Sequence, residues 1–165
     1  MRVYVPATST SLRTLLDTGS IGTAPLTAFA VTPGLREWYL DDDIEELEYA
    51  ASLEAARASL RLIDLDPDAA RRRVVVACDA PDAVVEVRDD LDRGVVRVNA
   101  AVPMSDVASI HIDDPDAEVA VAAAAAVIIA ADLGDESAQD AVDDAEGFEL
   151  AWYATQELAD VLARM

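Results

Sequence analysis

The chain has 165 residues, a net charge of −21, 53% apolar residues and a mean hydropathy of +0.18. An acidic disordered chain would carry its charge with few hydrophobes, so one globular domain over residues 1–165 is expected. The charge repels phosphates, so the reading is no nucleic acid and no anionic membrane surface as partner.

Val3 and Val5 alternate with Arg2 and Tyr4 before Pro6, which predicts a short first strand. Ser9 or Thr10 is positioned to cap a helix buried through Leu12, Leu15 and Leu16 and ended by Gly19. A second strand follows around Leu26 to Val31, punctuated by Pro33 and Gly34. The segment Ile44 to Ile63 is the clearest helix. At 100° per residue it carries two opposed apolar stripes: Ile44, Leu47, Ala51, Ala55, Ala58 and Leu62 on one side, and Tyr49, Leu53, Ala56, Leu60 and Ile63 on the other. Only the strip of Glu54, Arg57 and Arg61 is polar, so this helix is expected to lie between a sheet and another helix.

The β-branched run Val74 to Val76 predicts a central strand buried on both faces, just after the basic run Arg71 to Arg73, which is expected to contact carboxylates. Val84 to Arg88 and Val95 to Asn99 read as a hairpin in which Glu86 and Arg97 face each other. Val107 to Ile112 is a further strand with Ile110 and Ile112 on one face and Ser109 and His111 on the other. Asp114 and Pro115 start a helix through Ala131 that is apolar nearly all round and therefore expected to be buried, with Gly134 marking its end. An acidic connector, Asp135 to Glu146, leads to a last amphipathic helix from about Gly147 to Leu162. The sum is an α/β (α+β-like) fold: a mixed sheet of about five to six strands against about four to five helices, with a buried central helix over 44–63.

The uncharged stretch 119–131 falls short of the ~20 residues a spanning helix needs. No signal-peptide-like run follows Met1, and the lone Cys78 offers neither a disulfide partner nor a zinc-ligand spacing, so a cytoplasmic address is expected. No GxGxxG or GxxxxGK[ST] loop is present, and no cofactor is expected.

The segments MRVYVP at 1–6, PLTAFAVTP at 25–33, LREWY at 35–39, AARASLRL at 55–62 and ELAWYATQEL at 149–158 resemble an uncharacterised actinobacterial family, a domain of unknown function. The resemblance covers nearly the whole chain; it implies an intracellular bacterial setting and carries no catalytic residues.

The run Asp41, Asp42, Asp43, Glu45, Glu46 and Glu48 offers oxygen ligands for a divalent cation but lacks the spacing and turn glycine of an EF-hand, and acids at a helix start complement its dipole. His111, with Ser109 and Asp113, is a conceivable proton-transfer group, though an outward-facing strand histidine is the plainer reading. Cys78 reads as a buried small hydrophobe. Four of the eight aromatic residues form the pairs Trp38–Tyr39 and Trp152–Tyr153, which are expected to meet where the central and final helices touch, Trp38 and Trp152 plugging the core. The alternative is a pocket or interaction face made of Trp38, Tyr39, Tyr153, Gln156 and Glu157.

Residues 98–163 contain 15 acids and no arginine. The first functional reading is therefore a non-enzymatic binding or regulatory module that presents this acidic surface to a basic protein partner. The alternative is a small Mg²⁺- or Mn²⁺-dependent hydrolase using clustered carboxylates. Acidity acting only as a solubility coat is the third.

Overall fold

The computed structural model describes residues 1–40 and 42–165. Its first strand, β1 (Arg2–Ala7), runs into α1 (Ser9–Thr18). Thr8, one residue before the expected caps, starts α1: its hydroxyl accepts from the Ser11 amide and the Ser11 hydroxyl accepts from the Thr8 amide, a reciprocal cap. Gly19 ends α1 as expected, at φ 80° in the left-handed region. The short β2 (Ser20–Ile21), β3 (Leu26–Phe29) and α2 (Pro33–Tyr39) follow, then α3 (Ile44–Leu65), which Asp43 caps.

The chain continues through β4 (Val74–Asp79), β5 (Val85–Val87), β6 (Val95–Val98), β7 (Val102–Pro103) and β8 (Val107–Asp113). The helical hairpin α4 (Glu118–Asp132) and α5 (Glu136–Glu146), the strand β9 (Leu150–Tyr153) and α6 (Leu158–Ala163) complete it. Among the described residues, the main sheet has seven strands in the order β5-β6-β3-β1-β4-β8-β9, and β2 pairs with β7 in a second, two-stranded sheet.

Each ladder of the main sheet is antiparallel, which corrects the expected mixed sheet. The physical reason lies in two connections. The crossover through α3 does join strands that point the same way, but β1 lies between β3 and β4 and pairs antiparallel with both. After β8 the chain makes two helices rather than one, so it returns to the same end of the sheet and β9 runs antiparallel to its neighbour.

The expected C-terminal helix over 147–162 is the second correction. Leu150–Tyr153 pairs with β8, and a single 3-10 turn, Thr155–Glu157, separates this strand from α6. A short apolar run fits either period, and here the unpaired edge of β8 decides. The Glu157 carboxylate accepts the Ala154 amide at 2.7 Å and so fixes the helix start beyond the strand.

α3 is enclosed on two sides over part of its length, while Ile44, Tyr49, Leu53 and Leu62 of its stripes stay exposed. Leu47, Ala51, Ala55 and Ala58 pack on Tyr4, Phe29, Val75 and Ala77 of the sheet, while Leu60 and Ile63 pack on Val121, Ala124, Ala125 and Ile128 of α4 and on Val142 of α5. Ser59 pins the helix to the sheet: its buried hydroxyl donates to the Ala7 carbonyl at 2.7 Å and accepts from the Val74 amide at 3.1 Å. The other sheet face is covered by α1, α6 and the small sheet, through Leu12, Leu15, Ile21, Val102, Leu158 and Leu162. α4 departs from its expected burial, because Val119 is 84% and Ile129 54% exposed: α3 and α5 cover its inner faces and nothing among the described residues covers the outer one.

β4 is central and buried on both faces, as its valine run implied. The hairpin register places Glu86 opposite Arg97. Of the basic run, Arg73 is buried against buried Asp113: its Nε and a terminal nitrogen donate to the two carboxylate oxygens at 2.8 Å each, and its own amide donates at 2.7 Å. Such a pair is tolerable only when its hydrogen bonds are satisfied, and here they are.

Candidate functional site

Side chains alternate across a strand, so the register tells which residues share the face beneath α3. Tyr4 of β1 lies opposite Ala77, Ala77 opposite Ser109, Val75 opposite His111, and His111 opposite Trp152. The N-terminal half of α3 roofs only part of this surface. Between it and the 146–150 segment lies a cleft of about 330 Å³.

Tyr4, Val75 and His111 form the floor of the cleft. Its walls bring Tyr49, Ser52 and Leu53 from α3 against Phe148 and Leu150, and Glu45, Glu48, Glu146 and Glu149 stand around it. Most of the lining is apolar or aromatic, with a few polar groups at fixed places, as small-ligand sites tend to be. The room is that of about ten water molecules, enough for one amino-acid side chain.

Three arginines hold the walls in place. Arg73 donates to the Phe148 carbonyl at 2.8 Å, which ties the 148 segment to the buried ion pair. Arg57 reaches Asp132 at 3.2 Å, Gln139 at 3.0 Å and Glu146 at 3.6 Å, and Arg61 grips Asp132 at 2.6 Å, so the polar strip of α3 binds the ends of α4 and α5.

At the floor, the Ser109 hydroxyl and His111 Nε2 are hydrogen-bonded at 2.9 Å. Burial, and then the Arg2 charge, lower the His111 pKa below its usual value, so the imidazole is neutral at pH 7. Burial, and then the Glu48 carboxylate, push Tyr4 up to about 12, so its hydroxyl keeps its proton. Arg2, on the same face, is held by Asp79 at 2.7 and 3.1 Å. The floor therefore offers neutral polar groups beneath a ring of carboxylates.

The structure does not gather the residues singled out from sequence. Trp38 and Tyr39 end α2, which docks on the β5–β6 turn: Asp89 accepts from the Thr32 hydroxyl at 2.6 Å and from the Gly34 amide at 2.9 Å. Trp38 is 60% exposed and stacks under the Arg93 guanidinium at 3.5 Å. The other pair is on β9, five strand spacings from β6, or about 24 Å. Trp152 is 62% exposed, so the expected Trp38–Trp152 plug of the core is corrected as well: the strand geometry of 150–153 sends Trp152 and Tyr153 to opposite faces, and Tyr153 packs partly on the α1/α6 side. Gln156 and Glu157 are exposed on the 3-10 turn and do not line the cleft.

The cleft instead uses His111, whose plainer reading is an outward-facing strand residue, with Tyr4, Tyr49 and Phe148, which no sequence pattern marks as a site. The available signal was the second stripe of α3: Tyr49 and Leu53 are apolar yet 57% and 40% exposed, because α4 and α5 cover only the C-terminal part of that stripe. Of the acidic run, Glu45 and Glu48 reach the cleft, Asp43 caps α3, and Asp41 lies outside the described residues. Among the described residues no group of three or more His, Cys, Asp or Glu side chains is placed to hold a metal ion, so the hydrolase alternative gains no ligand set. Cys78 is buried, and burial raises its thiol to about 12, which leaves it unreactive. No described helix is long and apolar enough to cross a membrane.

No curated protein and no solved structure matches this chain. A family model does, over residues 1–162, and the chain accordingly belongs to a family of unknown function, DUF6912.

Proposed function

We propose that the protein is a non-enzymatic binding module for a basic protein partner, and that the cleft between α3 and β8–β9 receives a cationic side chain of that partner. One observation carries the reading: four glutamates and three aromatic rings surround a pocket of side-chain size whose floor is uncharged. An arginine side chain suits both characters, with its alkyl stem against Leu53 and Leu150 and its planar head among carboxylates and ring faces. The 15 acids over 98–163, with no arginine between them, extend the same sign of potential beyond the cleft and favour encounter with a basic surface.

Agmatine, decarboxylated arginine that keeps the guanidinium and its alkyl stem and ends in an ammonium group, is the probe. Calorimetric titration should detect binding that weakens from low to high salt, and a Glu48→Gln/Glu149→Gln double variant should weaken it by roughly tenfold or more. Heat change that is absent, or indifferent to salt and to the double variant, refutes the reading.

A further inference from the structure

β9 is the last strand of the main sheet, and among the described residues no strand pairs with its outer edge. The hydrogen-bond alternation shows which backbone groups it presents. The Asp113 amide donates to the Arg73 carbonyl at 3.1 Å, so the backbone of Asp113 is turned toward β4. His111 follows it, whereas Ile112 and Ile110 are turned toward β9. Their partners, Ala151 and Tyr153, therefore spend their N–H and C=O groups on β8. Those of Leu150 and Trp152 point outward, away from the sheet.

Proteins guard such edges with charges, prolines, bulges or covering elements. The opposite edge, β5, is guarded in this way: Glu86 lies within it, and Arg88, Asp89 and Asp90 follow it directly. β9 reads Leu-Ala-Trp-Tyr, with no charge and no proline. Its largest side chain, Trp152, is 62% exposed on the face that carries His111, and Leu150 on the same face lines the cleft. Glu149 precedes the strand and Glu157 and Asp160 follow it.

We infer that β9 is an acceptor for strand addition: an extended, basic segment of a partner protein pairs with the outward groups of Leu150 and Trp152 and becomes an eighth strand. Side chains on alternate residues of the added strand stand on the cleft face, about 5 Å from Leu150 and Trp152, where one arginine extends over Leu150 into the cleft. Main-chain pairing supplies affinity and the acidic cleft selects the side chain. A second copy of this chain is the competing occupant. Pairing β9 with itself would bring together two chains that each carry a net charge of −21, with Glu149 beside the strand in both copies. The charge selects the basic segment. This inference rests on the cleft reading for its choice of side chain, but its backbone part is separable.

The probe is a fluorescein-labelled, end-capped octapeptide of alternating arginine and valine, compared with the same peptide methylated at every internal backbone nitrogen. Both carry the same charge. Anisotropy titration should give the methylated peptide an affinity roughly tenfold or more below that of its parent. On the protein side, Trp152→Ala removes the ring and keeps the outward N–H, whereas Trp152→Pro removes both and leaves the β8 ladder intact, so W152P should bind the parent peptide several-fold more weakly than W152A. Equal affinity of the two peptides overturns strand addition, as does equal binding by two folded variants, absence of any peptide binding, or a wild-type dimer in sedimentation that W152P dissociates. Should W152P fail to fold, the peptide pair on the wild-type protein decides alone. Agmatine separates the two ideas: if it binds and competes while both peptides bind equally, the cleft stands and the strand falls. If it does not bind but methylation still weakens the peptide, the strand stands and the cleft falls.

Discussion

The two halves of α3 have nearly the same amino-acid pattern and opposite fates. From Ala55 to Ile63 both sides find partners, the sheet through Ala55 and Ala58 and the α4–α5 pair through Leu60 and Ile63, with only Leu62 left exposed. From Ile44 to Leu53 the sheet covers its stripe through Leu47 and Ala51, but Tyr49 and Leu53 face open space and become a cleft wall. A helix patterned for two partners thus makes core where both are supplied and a pocket where one is missing. The hydrophobic pattern specifies what a face requires, and the tertiary arrangement decides whether the face receives it.

The largest effect should come from breaking the anchor that holds the cleft's far wall. Asp113→Ala leaves Arg73 buried without its counter-ion, which costs about 3–5 kcal/mol and should lower the chemical-denaturation midpoint accordingly. A variant as stable as wild type would mean the wall is held by something else. The comparison within α3 is then tested directly: Leu60→Ala, in the closed half, should cost about 2–5 kcal/mol, and Leu53→Ala, in the open half, under about 1 kcal/mol. Equal losses at the two positions would erase the distinction.

A pH titration sharpens the same contrast at the floor. The folded state depresses the His111 pKa, so the unfolded chain binds that proton more readily. Stability should therefore fall as pH drops through the unfolded-state value, near 6.5, and go on falling until the folded-state value is reached. Burial, followed by the nearby Asp92 charge, raises the Glu54 pKa, a contribution of opposite sign, because the folded state takes up that proton more readily. The difference between wild type and His111→Asn isolates the histidine, and parallel pH profiles would show that the imidazole is not held neutral by burial. The smallest effect on stability, within about 0.5 kcal/mol, is expected for Ser52→Leu, which adds apolar volume to the cleft. That variant should nonetheless abolish agmatine binding in the calorimeter.

Much of the framework was readable from the sequence because it rests on local rules: the two-striped helix over 44–63, the doubly buried valine strand, the Glu86–Arg97 hairpin register and the glycine that ends α1. The segment 150–153 was misread because four apolar residues fit a helix and a strand equally, and only the open edge of β8, more than thirty residues earlier, resolves the choice. The cleft was hidden for a related reason. Its parts come from β1, α3, β4, β8 and the 146–150 segment, and no spacing along the chain reveals that Tyr4, Glu48, His111 and Phe148 share one hollow.

The placement of β1 at the middle of the sheet has a consequence for how the molecule is made. On the ribosome this strand emerges ahead of all the others, yet its second neighbour is complete only when Asp79, the partner of Arg2, has been synthesised. Until then the innermost hydrophobic ribbon, with Val3 and Val5 at its heart, has at most one flank satisfied. Assembly must close loops of about seventy residues before the centre is sealed, so folding is expected to be slow for a chain of this length and most vulnerable to aggregation during that interval.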